Sequence, residues 1–277
     1  MTANTAVTRT VDVEGTPFAY REVGLTEGVP LVLLHHFTAV LDDWDPAVVD
    51  GLAARHRVVL VDLRGVGGSG GTTPDSVEAM AADLAGFVRA LGFAEVDLLG
   101  VSMGGMIAQV LAQREPGLVR RMILAGTSPA GDAGPANAMS LLQGALHESA
   151  AAGKHPKHVL FFSPTATSQA AADRFIARLN ERTRDRDAEV TNETIGAQAA
   201  ALAKWEQGSP EGLTAVRQPV LVVNGDNDIM TPTISSFNLA RYLPNARLSI
   251  YPDAGHGALF QHHELFVEQA LEFLGAN

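Results

Sequence analysis

Ser102 stands in Gly100-Val101-Ser102-Met103-Gly104, behind the apolar run Val96-Asp97-Leu98-Leu99 and ahead of Met106 to Gln113. The pattern reads strand, sharp turn, helix. Such a turn holds a serine in a strained backbone conformation and pushes its hydroxyl clear of the sheet. Glycines two before and two after leave room for strand and helix to approach. The helix N-terminus beyond brings free N–H groups and partial positive charge to a developing oxyanion. A serine hydroxyl alone is a poor nucleophile. It needs a base within hydrogen-bond reach, and the base needs a carboxylate on its other ring nitrogen. His256, between Gly255 and Gly257, supplies the first type. Asp226 or Asp228, in Gly225-Asp226-Asn227-Asp228-Ile229-Met230-Thr231-Pro232, supplies the second. The chain order is Ser, Asp, His, and the chemistry would be acyl transfer.

These residues, together with His35-His36-Phe37-Thr38, each follow a run that reads as a strand. In open parallel sheets, function gathers at the carboxyl ends of strands. The apolar runs at 31–34, 58–61, 96–99, 119–125 and 220–223 suit strands buried on both faces, and 247–251 a last short one. Helices are expected over 46–55, from a cap at Asp75 or Ser76 to about Leu91, from the serine turn to before Pro116, up to about Tyr242, and over 262–274. Val267, Ala270, Leu271 and Leu274 lie at core spacing in the last. Residues 7–14 and 18–23 suggest a hairpin around Gly15-Thr16-Pro17. Alternating strand and helix predicts an α/β fold, a mostly parallel sheet covered on both faces. The alternation breaks in the middle of the chain, where helices over 137–152, 168–182 and 192–206 form an insertion, with the charged stretch 181–187 as a solvated loop. The division is 1–130 and 213–277 for the core and 131–212 for the insertion.

Composition narrows the partners. A formal net charge of −11 repels nucleic acid and anionic membranes. With no cysteine, there is no thiolate nucleophile, disulfide or cysteine-bound metal. Gly65, Gly67 and Gly70 match Gly-x-Gly-x-x-Gly, but Thr72-Thr73-Pro74 follows where a pyrophosphate-binding helix should start, so a mobile surface loop fits better. His155 and His158 lack nearby carboxylates in the sequence, which argues against a metal there. No apolar run approaches the ~20 residues of a membrane span, and the N-terminus lacks the pattern of a signal peptide. The expectation is a cytoplasmic protein with a small-molecule substrate and neither cofactor nor metal.

The separated motifs together resemble the α/β-hydrolase-fold serine hydrolases, over nearly the whole chain. The resemblance implies Ser102 as nucleophile, Asp228 rather than Asp226 as the acid, His256 as the base, and a helical cap in place of the insertion. It further implies an oxyanion hole from the backbone N–H groups of Met103 and Phe37. The chain departs from the family's His-Gly pair, with His36 where the glycine stands. Either the loop differs slightly there or His36 places an imidazole near substrate as a candidate contact, and tolerance within the loop explains it better than catalysis does. Trp205 is a further candidate for substrate contact, within an apolar roof drawn from Leu141, Leu142, Leu146, Phe161, Phe162 and Leu202. The expected reaction is hydrolysis of a small, mostly apolar carboxylic ester or lactone. Rivals are a carbon–carbon bond hydrolase, disfavoured because no cationic grip for a carboxylate is evident, a cofactor-free perhydrolase, and a non-catalytic small-molecule sensor.

Overall fold

The computed structural model describes residues 1–275. Strands β1 (Arg9–Val13) and β2 (Thr16–Gly24) form the antiparallel hairpin, with Val13 opposite Thr16. The turn is therefore Glu14-Gly15, one position earlier than the sequence suggests. Both residues have positive φ, 51° and 81°, the twist a two-residue hairpin needs.

The α/β alternation then follows: β3 (Leu31–Leu34), α1 (Pro46–Ala53), β4 (Arg57–Val61), α2 (Val77–Ala90), β5 (Val96–Val101), α3 (Met103–Arg114) and β6 (Val119–Ala125). Four helices come next, α4 (Ala138–Ala152), α5 (Lys157–Phe161), α6 (Ala166–Leu179) and α7 (Asn192–Glu206). The chain returns through β7 (Val220–Gly225), α8 (Ile234–Tyr242), β8 (Ala246–Tyr251), α9 (Ala258–Gln261) and α10 (His263–Gly275). Strand order in the eight-stranded sheet is β1-β2-β4-β3-β5-β6-β7-β8, parallel from β4 onward. Every residue of β3, β5 and β7 is buried, as the continuous apolar runs demand of strands covered on both faces. Asp97 and Asn224, the exceptions in character, are both paired, Asp97 with Arg120 and the Asn224 amide with the Thr231 carbonyl.

Local chemistry sets the ends of several helices. Ser76 accepts from the Ala79 N–H to cap α2, and Asp45 accepts from the Ala47 N–H to cap α1, where Pro46 opens the helix. Helix α10 buries Phe266, Ala270, Phe273 and Leu274, while Val267 and Leu271 are only partly buried. The core face keeps Ala270 and Leu274 of the expected set and turns toward Phe266 and Phe273. Nor is the glycine loop after β4 a loose one. Ser69 Oγ donates to the Asp62 carbonyl and accepts from the Ala19 N–H, and the Gly65 N–H donates to the Gly70 carbonyl. Among the described residues no helix is long and apolar enough to cross a membrane.

Candidate active site

Ser102 joins β5 to α3 with φ 53° and ψ −118°, a conformation costing a non-glycine residue about 1–3 kcal/mol. Its surroundings hold it there. The Ser102 N–H donates to the Ala125 carbonyl at 2.8 Å, and its carbonyl accepts from Thr127 Oγ1 at 2.7 Å. The glycines answer to contact distances: a Cβ at Gly104 would lie 2.2 Å from the Leu34 carbonyl oxygen, and one at Gly100 would lie 2.5 Å from that of Gly104.

Asp228 follows β7 and faces His256, which follows β8. His256 Nδ1 lies 2.8 Å from Asp228 Oδ2, and both side chains are buried. Asp228 Oδ1 accepts from the N–H groups of Met230 and Thr231 at 2.8 and 2.9 Å, which fixes the carboxylate's plane. Asp226 instead accepts from the Ala254 N–H and Asn227 Nδ2, bracing the turn. The opposite nitrogen, His256 Nε2, is buried and has no hydrogen-bond partner. The bond to Ser102 is therefore unmade here, although both residues line one cavity; such links commonly tighten only around substrate.

That cavity, about 190 Å³, is lined by Ser102, His256, Phe37, Met230, Leu142 and Phe161, and by the polar group His36, Asp43, Lys157 and His155. Helix α5 forms its roof. The Phe161 ring lies 5.4 Å from the His256 ring and 4.9 Å from that of His36, edge-on to both. The Gly257 N–H donates to the Phe161 carbonyl at 2.9 Å. A Cβ at Gly255 would lie 2.9 Å from that same oxygen. The glycines around His256 thus let the insertion rest directly on the histidine loop.

Lys157 overturns the expectation that no cation reaches the site. Its ammonium donates to Asp43 Oδ1, and both line the cavity. Burial opposes ionisation of Asp43 most strongly, but the surrounding charges, Lys157 first, and the hydrogen bonds from Lys157 and the Val40 N–H together outweigh it and hold the pKa down to about 2. His36 is also shifted down, which for a base removes the charge. Burial, with the Lys157 charge added, lowers its pKa to about 3, so the ring is neutral. Among the described residues the Phe37 and Met103 N–H groups meet no backbone acceptor.

Other expectations resolve differently. Trp205 does not line this cavity; its indole N–H donates to the Ser128 carbonyl, and it lines a separate pocket with Gln109 and Ala130. Of the proposed roof, Leu142 and Phe161 line the cavity, Leu146 is half exposed, and Leu202 lies in the core. His158 does meet a carboxylate, Asp173 of α6 at 2.8 Å, which proximity in sequence does not show. Stretch 181–187 is the exposed loop expected, apart from Arg182 and the half-buried Asp187, and those two tie it down. Arg182 is buried and donates to the carbonyls of Ala3 and Ala6, while the Asp187 N–H donates to Asp42.

This is the architecture of an α/β-class hydrolase. Residues 29–263 match the family model described as alpha/beta hydrolase fold, and the chain belongs to that family. An alpha/beta hydrolase fold protein from Chitinophaga pinensis superposes with a TM-score of 0.94 at 39% identity, covering 100% of both chains. A pimeloyl-[acyl-carrier protein] methyl ester esterase of Aromatoleum aromaticum is 32% identical, covering 84% of this chain and 93% of its own. A 2-hydroxy-6-oxononadienedioate/2-hydroxy-6-oxononatrienedioate hydrolase of Paraburkholderia phymatum is 29% identical, covering 88% and 86%.

Proposed function

We propose that the protein is a serine hydrolase that cleaves a small carboxylic ester or lactone through an acyl-enzyme on Ser102. The observation that carries this reading is the buried Asp228–His256 hydrogen bond, whose free Nε2 belongs to the same cavity as the strained Ser102. His256 Nε2 takes the hydroxyl proton as Ser102 Oγ attacks the carbonyl carbon. Asp228, fixed by two backbone N–H groups, keeps the proton of Nδ1 in place and stabilises the imidazolium. The N–H groups of Phe37 and Met103 hold the oxyanion; each such donor contributes about 3–4 kcal/mol. As the tetrahedral species collapses, His256 protonates the departing alcohol, then activates water to release the acid.

Size supports a small substrate, since an apolar cavity of about 150 Å³ holds a benzene ring. Carbon–carbon bond cleavage of an acidic diketone gains support from Lys157 in the cavity wall and from the name of the Paraburkholderia relative. Asp43 already balances that charge, which leaves the ester reading ahead.

The test is a fluorophosphonate probe, together with a screen over p-nitrophenyl esters, lactones and peracid formation. Ester turnover with labelling at Ser102 is expected, and Ser102→Ala should lower kcat on the order of 10⁶-fold. An unchanged rate in Ser102→Ala, or no labelling as for a binding-only protein, would overturn the reading.

A further inference from the structure

Acyl transfer at Ser102 leaves a second polar group in the cavity unused. His36 Nδ1 lies 2.8 Å from the Phe37 carbonyl oxygen. A carbonyl only accepts, so Nδ1 carries the hydrogen. With the ring neutral, Nε2 is left as a bare lone pair, and that atom is buried with no partner. Buried acceptors are nearly always satisfied by protein, water or ligand. Nearby, the Lys157 ammonium has three hydrogens and gives one to Asp43. Its nitrogen lies 5.7 Å from the centre of the Phe161 ring, against which His36 also stands. The cavity therefore has, around one aromatic ring, an acceptor that lacks a donor and an ammonium with hydrogens to spare.

We propose that His36 and Lys157 seat a neutral hydroxyl on the substrate, its hydrogen donated to His36 Nε2 and its oxygen accepting from Lys157. This deepens the ester reading and takes from it the placement of that hydroxyl close to the scissile carbonyl, as in short hydroxyacyl esters. A carboxylate suits the seat less well. It would bring its own lone pairs against Nε2, and Asp43 already neutralises Lys157. A plain alkyl group leaves the buried nitrogen unpaired. His36 thus sets specificity where the family's usual pair has a glycine.

The experiment compares kcat/KM for p-nitrophenyl butyrate with that for its 2-hydroxy and 3-hydroxy counterparts. Wild type should favour at least one hydroxylated ester by about tenfold or more. In His36→Leu the ratio should fall to about one, and His36→Gln, whose side-chain oxygen accepts, should restore part of it. A wild-type ratio near one, or a ratio untouched by His36→Leu, overturns the proposal while leaving Ser102 chemistry standing. If Ser102 turns over none of these esters, the acyl-transfer reading fails by itself. The seat is then judged by calorimetry on butyramide and its 2- and 3-hydroxy counterparts. Tighter binding of a hydroxylated amide, lost in His36→Leu, supports it, and equal binding of all three overturns it.

Discussion

Asp228 gives its two carboxylate oxygens different tasks. Oδ1 is held by the Met230 and Thr231 N–H groups, and Oδ2 faces His256. An asparagine at this position would have to leave its oxygen on the two backbone donors and turn its NH₂ toward the imidazole. Nδ1 would then accept, the ring proton would move to Nε2, and the nitrogen nearest substrate could no longer act as a base. Asp228→Asn should therefore lower kcat by about 10⁴-fold with little change in KM, read from steady-state ester hydrolysis. A loss below tenfold would remove Asp228 from the mechanism. Much at this scale was legible in advance. Ser102, Asp228 and His256 each sit at a strand end in a turn with its own glycine spacing. His36 and Lys157 were harder to weigh: their importance lies in unspent hydrogen-bonding capacity, which depends on burial and on partners distant in the chain.

Among the elements, the strands were the easiest to read, because parallel strands buried on both faces must be apolar throughout. Helix α5 had no such signature. It has only five residues, too short to show a period, and Pro156 directly before it reads as a loop. Its seat is dictated from outside, by the Gly255-His256-Gly257 loop. Gly255→Ala would drive a methyl against the Phe161 carbonyl, and overpacking of this kind costs roughly 1–3 kcal/mol. A melting temperature lower by a few degrees and a raised KM are expected; calorimetry and ester kinetics check both. Normal values would mean that α5 does not rest on the loop in solution.

Across the molecule, the insertion is fastened by the short run Leu41-Asp42-Asp43-Trp44-Asp45. Asp42 accepts from the Asp187 N–H, Asp43 pairs with Lys157, and Asp45 takes Arg178 through both oxygens at 2.8 and 2.6 Å. Stretch 181–187 is exposed as its charges suggest, but its anchoring was hidden, since the acceptors for Arg182 and Asp187 come from the far end of the chain. One joint is sensitive to pH. Asp187 shares the Leu41 N–H with Asp62. Burial, then the hydrogen bond to Asp62 and its charge, raise the Asp187 pKa from 3.8 to about 8. Between those values the folded protein keeps a proton that the unfolded chain has lost, so this group's contribution to stability falls as pH rises through the window. Asp187→Asn keeps a donor for Asp62 at any pH. The wild-type melting temperature should drop more than the variant's between about pH 6 and about pH 9, and parallel curves would refute the shared proton. A last consequence follows from Leu160, which lines both the cavity and a groove of about 700 Å³ bounded by Val159, Phe162, Asn227 and Ile229. One turn of helix is the party wall between a small room and a large one. Trimming it with Leu160→Ala should join them, and acyl chains too long for the wild type should gain roughly tenfold in relative rate, as added methylenes find apolar shelter beyond the breach.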